Sequence, residues 1–279
     1  MDWLSALIMG IVQGLAEYLP ISSSGHLEIC RDLLGLELSG AESLEFDVML
    51  HVATVLSTIV VLWHEFKPLC VSFFTFRRDD NFNYVLKILV SCIPVAIVGL
   101  FFKDFIEGFF GKGLGIVGIC LCVTAALLSF AYFTRTRPQD MRRPGTPGAH
   151  SISMLDAFII GCSQAVAVLP GLSRSGTTIA TGILLGDRRE EVARFSFLMV
   201  IIPIMGEALL DVKKMIGGEA VAVANGEIGW LPMLVGFLAS FIVGCIACKW
   251  MLNIVKRGKL VWFAAYCLIV GIICIATSF

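Results

Sequence analysis

The chain has 279 residues, 57% of them apolar and 15% charged, with a mean hydropathy of +0.88 and a net charge of −1. That is about 10 percentage points more apolar than a globular domain, with fewer charges, which excludes a soluble fold and leaves no room for a separate soluble domain in a polytopic membrane protein. No cationic surplus is available to neutralise phosphates along a strand, so a nucleic-acid partner is excluded too. The ten cysteines sit mostly inside apolar runs, as at Cys92, Cys120, Cys245 and Cys267, without the spacing of a disulfide framework. Met1 to Leu19 lacks a basic leader and a small-residue cleavage site and reads as structure, not as a removed signal.

In chain order, Asp2 to Leu19 predicts an apolar helix that ends at Pro20, and Gly25 to Leu36 predicts a second, shorter one. A helix of about 12 residues covers about 18 Å, short of the roughly 30 Å of hydrocarbon it would have to cross. The pair is therefore expected to enter the membrane and return to the same side as a re-entrant hairpin. Spans are predicted at Phe46 to Phe66, Tyr84 to Phe102 and Leu114 to Phe133. The order then repeats: a hairpin from Ser153 to Leu185 broken at Pro170, and spans at Phe195 to Leu210, Trp230 to Leu252 and Leu260 to Phe279.

The duplication is visible residue by residue, since Gly10/Gly161, Gln13/Gln164, Ser22/Ser173 and Gly25/Gly176 all lie 151 positions apart. The predicted fold is a single all-α membrane domain over 1–279, with one half at 1–135, the other at 152–279 and a linker at 136–151. One hairpin and three spans per half is an odd number of crossings, so the halves are expected to be inverted. Cationic residues concentrate in the segments 65–87, 135–143, 187–194 and 249–259. The positive-inside rule assigns these to the cytoplasm, together with the linker, and turns Arg31, Lys103, Lys112, Lys213, Lys214 and both termini outward. The Gly-rich stretches Gly113 to Gly118 and Gly236 to Gly244 are expected to face a second copy in a homodimer.

Inverted repeats with broken helices place their site where the breaks meet. Glu17, His26 and Arg174 lie in apolar surroundings, where each costs about 2.5 to 3.5 kcal/mol on insertion scales. A buried ion pair locking the halves together would account for Glu17 and Arg174, but it leaves Ser23 and His26 without a purpose. Gln13 and Glu17, four residues apart, share a helical face. Ser22, Ser23 and Ser24 open one helix; Gly171, Ser173, Arg174, Ser175, Gly176 and Thr178 open the other. Helix N-termini carry unpaired N–H donors and partial positive charge, so two of them facing each other suit a phosphate or diphosphate. Ser23 as nucleophile, Glu17 with His26 as the proton-handling pair and Arg174 as the charge stabiliser would complete a phosphoryl-transfer site. Glu17 could also hold Mg²⁺ or Ca²⁺ jointly with diphosphate oxygens. Asp47, His51, Glu207 and Asp211 fall near predicted span ends, where solvent would satisfy them. A carrier for a lipid phosphate or small anion is the alternative, because broken inverted repeats are common there.

The run Gln13-Gly14-Leu15-Ala16-Glu17, the run Pro20-Ile21-Ser22-Ser23-Ser24-Gly25-His26 and the run Pro170 to Thr178 resemble the motifs of the BacA-type undecaprenyl-pyrophosphate phosphatase family. The resemblance extends over essentially the whole chain. It implies hydrolysis of a C55 polyprenyl diphosphate to the monophosphate that carries cell-wall precursors, and with it bacitracin resistance. It also implies a divalent cation, the bacterial inner membrane, and a site open to the extracytoplasmic side. Glu17, Ser23, His26 and Arg174 carry over as catalytic residues. Gln13, Ser22, Ser24, Gly171, Ser173, Ser175, Gly176 and Thr178 carry over around the diphosphate. Gln13 departs from a family position that elsewhere holds glutamate, leaving Glu17 as the one carboxylate of that pair.

Overall fold

The computed structural model describes residues 1–36, 40–102, 108–109, 113–134, 152–216 and 228–278, except the side chains of 40–44 and 211–216. The linker 136–151 lies outside these residues, as do the side chains of Lys103, Lys112, Lys213, Lys214 and Asp211. Twelve helices occur among them. The first half holds α1 (Trp3–Ala16), α2 (Ser23–Leu34), α3 (Gly40–Val61), α4 (Trp63–Phe74), α5 (Asp80–Phe101) and α6 (Leu114–Thr134). The second holds α7 (Met154–Val166), α8 (Arg174–Leu185), α9 (Arg189–Met199), α10 (Ile201–Ile216), α11 (Trp230–Lys256) and α12 (Val261–Thr277).

The duplication survives in the coordinates, for α2 and α8 differ at both ends by the same 151 residues that separate Gly10 from Gly161. Packing is reciprocal as well: α1 lies along α11 while its counterpart α7 lies along α5, and α6 pairs with α12. Gly10 and Gly161 make those first two contacts possible. A Cβ at Gly10 would stand 2.4 Å from the Gly236 carbonyl oxygen, and one at Gly161 only 2.3 Å from that of Ser91.

Among the described residues, four helices are long and apolar enough to cross a membrane: Asp80–Phe101, Leu114–Thr134, Arg189–Leu210 and Trp230–Lys256. A fifth candidate is a bent pair, and here the expected straight span Phe46 to Phe66 is corrected. The chain turns by 91° between Val61 and Trp63, where an unbroken apolar run gives way to the amphipathic stretch His64-Glu65-Phe66-Lys67. Glu65 then meets Arg194 of α9 at 2.9 Å, which ties the turned helix to the second half. The span expected from Phe195 divides at Val200 for a local reason. Pro203 brings no N–H for the Met199 carbonyl, and Cys92 Sγ approaches that oxygen at 3.6 Å instead. The last helix is shorter than its predicted span, ending at Thr277 after 17 residues.

At the start of α5, Asp79 caps the helix and accepts from the Ser72 hydroxyl and the Phe82 N–H, which hold its carboxyl below the usual range. Several glycines of the stretches expected at a dimer surface pack inside the chain. Gly118 lies against the Gly271 carbonyl, Gly236 against Phe46 and Gly244 against Ser57, because closely packed helices need small residues where their backbones approach.

Candidate active site

Both hairpin arms stop short of their prolines. Helix α1 ends at Ala16 and α7 at Val166, and the residues that follow form irregular turns before α2 and α8 begin. A proline disfavours helical geometry at the residue before it, and each turn relaxes over several residues. The two turns touch. A Cβ at Gly25 would lie 3.0 Å from Gly171 Cα, one at Gly176 would lie 3.1 Å from Pro20 Cβ, and the Ser175 hydroxyl donates to the Leu19 carbonyl at 3.2 Å.

Each new helix is capped from its own turn. Ser22 Oγ accepts from the Gly25 N–H at 3.3 Å, and Ser173 Oγ accepts from the Gly176 N–H at 3.0 Å. Ser22 has φ 72°, a conformation non-glycine residues rarely adopt, which marks this turn as held by its surroundings. Gly171 has φ 88°, and a Cβ there would stand 2.7 Å from Val117 Cα, so only glycine suits that corner.

Glu17 sits at the junction, as the C-cap of α1. Four donor-bearing side chains converge on its carboxylate. Gln13 Nε2 and Ser23 Oγ donate to Oε2 at 2.9 and 2.8 Å. His51 Nε2 lies 3.5 Å from the same oxygen, and Arg174 Nη2 lies 3.5 Å from Oε1. The negative end of the α1 dipole disfavours a carboxylate here, so the guanidinium supplied by the other half offsets a cost that α1 alone cannot. Beyond them, Glu17, Arg174, Thr54, Thr58, Ser175 and Ser196 border a cavity of 20 Å³, room for about one water. Tyr18 closes its wall, donating to the Thr54 carbonyl at 2.6 Å.

The pairing of His26 with Glu17 does not form. Ring atom Nδ1 of His26 lies 2.8 Å from the Ser22 carbonyl, one turn back on the same helix, which turns the ring toward α12. There Nε2 meets the Tyr266 hydroxyl at 2.8 Å, with the two rings stacked at 5.6 Å and 17°. His51 takes the place beside Glu17, its own Nδ1 lying 2.7 Å from the Asp47 carbonyl. Asp47 in turn pairs with Arg31, so neither residue depends on solvent as the sequence suggested; Glu207, by contrast, is exposed. A signal for His51 was available: Asp47, His51, Thr54 and Thr58 recur at helical spacing inside an apolar span. Tyr266 offers no such signal, being a single tyrosine 240 residues from His26.

Among the residues expected around a diphosphate, Ser22 and Ser173 serve as caps, and Ser24 Oγ lies 3.4 Å from Ser22 Oγ. Thr178 is turned away, donating to the Arg174 carbonyl at 2.8 Å and meeting Ser196 Oγ at 2.6 Å. No group of three or more His, Cys, Asp or Glu side chains able to hold a metal occurs among the described residues. Gln13 Oε1 is nevertheless buried without a hydrogen-bond partner among them, leaving one hard oxygen beside Glu17. A second hollow, an apolar groove of 400 Å³, runs between α1 and α12 past Leu15, Leu19, Ile21 and Phe263, with His26 and Tyr266 as its polar members.

Fold and site together define an integral membrane protein in which a serine, a carboxylate and a guanidinium meet between two helix breaks. Such a place suits an anionic lipid head. The chain matches the model of the bacitracin resistance protein BacA family over residues 6–273, and it belongs to that family. An undecaprenyl-diphosphatase of Bacteroides fragilis is 56% identical over 278 residues, covering 100% of this chain and 99% of the relative. The undecaprenyl-diphosphatase of Christiangramia forsetii is 41% identical over 279 residues, with 100% and 99% covered. That of Oceanobacillus iheyensis is 36% identical over 273 residues, with 95% and 93% covered.

Proposed function

We propose that this protein is an undecaprenyl-diphosphatase, hydrolysing the C55 polyprenyl diphosphate to the monophosphate carrier and inorganic phosphate. The observation that carries the mechanism is the 2.8 Å bond from Ser23 Oγ to Glu17 Oε2, with Arg174 on the other carboxylate oxygen. Ser23 Oγ forms a bond to the terminal phosphorus and gives its proton to Glu17. The bond from that phosphorus to the bridging oxygen breaks, and polyprenyl phosphate leaves. Water then attacks the phosphoserine, the bond from phosphorus to Ser23 Oγ breaks as Glu17 returns its proton to that oxygen, and both protons of the water leave with the inorganic phosphate. Arg174 and the N–H groups opening α2 and α8 neutralise charge on the phosphoryl oxygens.

Gln13 Oε1 and Glu17 are the residues suited to a Mg²⁺ or Ca²⁺ ion. A hard cation held by so few protein oxygens completes its shell from substrate phosphates, and its contribution is to neutralise the diphosphate. The apolar groove past Leu15 and Phe263 takes the isoprenoid chain next to the head group. On the charge distribution, the two halves are inverted in the bacterial inner membrane, with the site open to the extracytoplasmic side.

The test is phosphate release by the full chain in detergent from a long-chain isoprenyl diphosphate, with and without Mg²⁺ and without any gradient. Wild type should turn over in the presence of the ion, whereas Ser23→Ala should lose at least about a hundredfold in kcat while binding substrate. Binding without release by the wild type would identify a carrier, and near-normal turnover by the serine variant would remove Ser23 from the chemistry.

A further inference from the structure

Between two spans the chain runs along the membrane surface. Helix α3 covers about 33 Å in its 22 residues, enough for the roughly 30 Å of hydrocarbon, and the chain then turns by 91° into α4. Helix α5 starts back from five consecutive polar residues, Arg77, Arg78, Asp79, Asp80 and Asn81. Both ends of α4 therefore lie at one interface. Its inner face is occupied by the protein, since Leu69 and Ser72 are buried and Glu65 meets Arg194. Its outer face is a stripe at helical spacing, Trp63, Lys67, Val71 and Phe74, all exposed. An apolar stripe interrupted by a lysine suits the boundary between acyl chains and headgroups, where the long side chain extends its ammonium toward phosphate.

The corner after α4 carries the same combination. The Phe76 N–H donates to the Phe73 carbonyl at 3.2 Å and the Arg77 N–H to the Ser72 carbonyl at 3.1 Å, a helix ending that usually places glycine where Phe76 stands, because φ there is positive. Phe76 has φ 53°, and with the residue 76% exposed little protein contact offsets that strain. Arg77 and Arg78 follow, both exposed. The neighbouring carboxylates serve α5: Asp79 is its cap, at 3.6 Å from Arg77 Nε, and Asp80 stands in its first turn, where a helix N-terminus favours negative charge.

We infer that α4 and the corner after it form a binding site for anionic phospholipid in the leaflet next to the cytoplasm: Trp63, Val71, Phe74 and Phe76 enter the acyl boundary, and Lys67, Arg77 and Arg78 hold headgroup phosphates. Charge selects the occupant, because a zwitterionic headgroup offers these cations no net attraction, whereas each basic side chain near an anionic surface gains from it. None of these residues is among those around Glu17 and Ser23, so the site stands whether or not the chain hydrolyses a diphosphate.

Phe76→Trp puts a fluorescent reporter at the corner, and subtracting the wild-type emission isolates it. The full chain carrying Phe76→Trp is reconstituted in vesicles of phosphatidylcholine and phosphatidylglycerol, with bromine on the acyl chains of one lipid or of the other. Brominated phosphatidylglycerol should quench the reporter about fivefold more per mole than brominated phosphatidylcholine, the preference that one basic side chain near an anionic surface provides, and high salt should reduce that preference. Adding Arg77→Gln and Arg78→Gln should bring the two lipids to parity. Arg257→Gln with Lys259→Gln, which removes two exposed cations after α11, should leave the preference in place. No quenching by either lipid, or equal quenching by both in Phe76→Trp, would overturn the inference. So would an equal loss with both pairs of substitutions, which would assign the attraction to the whole charged face. The salt series requires only Phe76→Trp, so a preference that salt does not change would overturn the inference even where the arginine variant fails to assemble.

Discussion

Replacing Glu17 by glutamine is the sharpest perturbation of this site, because it changes charge and acceptor count while preserving shape. Three donors meet the native carboxylate, Gln13 Nε2, Ser23 Oγ and Arg174 Nη2, and His51 Nε2 lies 3.5 Å from it. An amide offers one acceptor oxygen and one NH₂, so either orientation points N–H groups at some of those donors. At 3.5 Å the Arg174 attraction is about 5 kcal/mol for an effective dielectric near 20. Solvent reaching Arg174, whose side chain is 27% exposed, reduces the net worth to about 1 kcal/mol. The charge-assisted bond from Ser23 adds about 1.5 to 3 kcal/mol. Loss of about 3 kcal/mol of stability is the expected structural cost, read as a lower thermal unfolding temperature in detergent. The catalytic cost is larger, since an amide accepts no proton from Ser23 and general-base assistance is worth about 10²- to 10⁴-fold. Phosphate release should therefore fall by that factor in protein that remains folded and monodisperse. A Glu17→Gln enzyme turning over within about threefold of wild type would refute the assignment of Glu17 as the base.

Two further outcomes follow from contacts away from the serine. His51→Leu should lower kcat by about three- to tenfold, the worth of one close polar contact beside Glu17, while the polar His51→Gln should stay within about threefold of wild type; equal rates for the two variants would show that His51 does not support the carboxylate. Gly161→Val places a side chain where a Cβ alone would stand 2.3 Å from the Ser91 carbonyl oxygen. It should destabilise the α5–α7 contact by about 1 to 3 kcal/mol or more, and an unchanged unfolding temperature would contradict the described packing.

The hairpins were legible because their signals are local. Each has an apolar run too short to cross, a proline, and a Ser-rich turn whose hydroxyls cap the next helix, and both ends of α2 and the last residue of α8 fall within two residues of those expected. The bend at Leu62 was not legible. It contains neither proline nor glycine, and its partner, Arg194, lies more than a hundred residues away. Gly118, Gly236 and Gly244 have a use the sequence did not reveal, since close packing inside the chain and contact with a second copy need the same small residues. Within the site, Glu17, Ser23 and Arg174 stood out as polar groups at helix breaks. The orientation of His26 depended on a carbonyl of its own helix and on a distant tyrosine, which no spacing rule reports.

The same two breaks explain why a duplicated chain was needed for this chemistry. With the repeat offset of 151 residues, Ser23 and Arg174 occupy equivalent positions, each the first residue of its helix after the capping serine. One copy spends that position on a hydroxyl and the other on a guanidinium. Glu17 corresponds to Val168, and His26 to Thr177, so the carboxylate and the imidazole also belong to the first copy alone. A symmetric pair would bring either two carboxylates together, repelling each other and the diphosphate, or two guanidinium groups with no base between them. Divergence at a shared position lets each half supply what the other lacks: the first the nucleophile and its base, the second the counter-charge. The 3.5 Å contact between Arg174 and Glu17 is where that complementarity is realised. Exchanging the two residues, as Glu17→Arg with Arg174→Glu, would keep the ion pair but place the cation on the nucleophile's side, so it should preserve assembly of the two halves without restoring turnover.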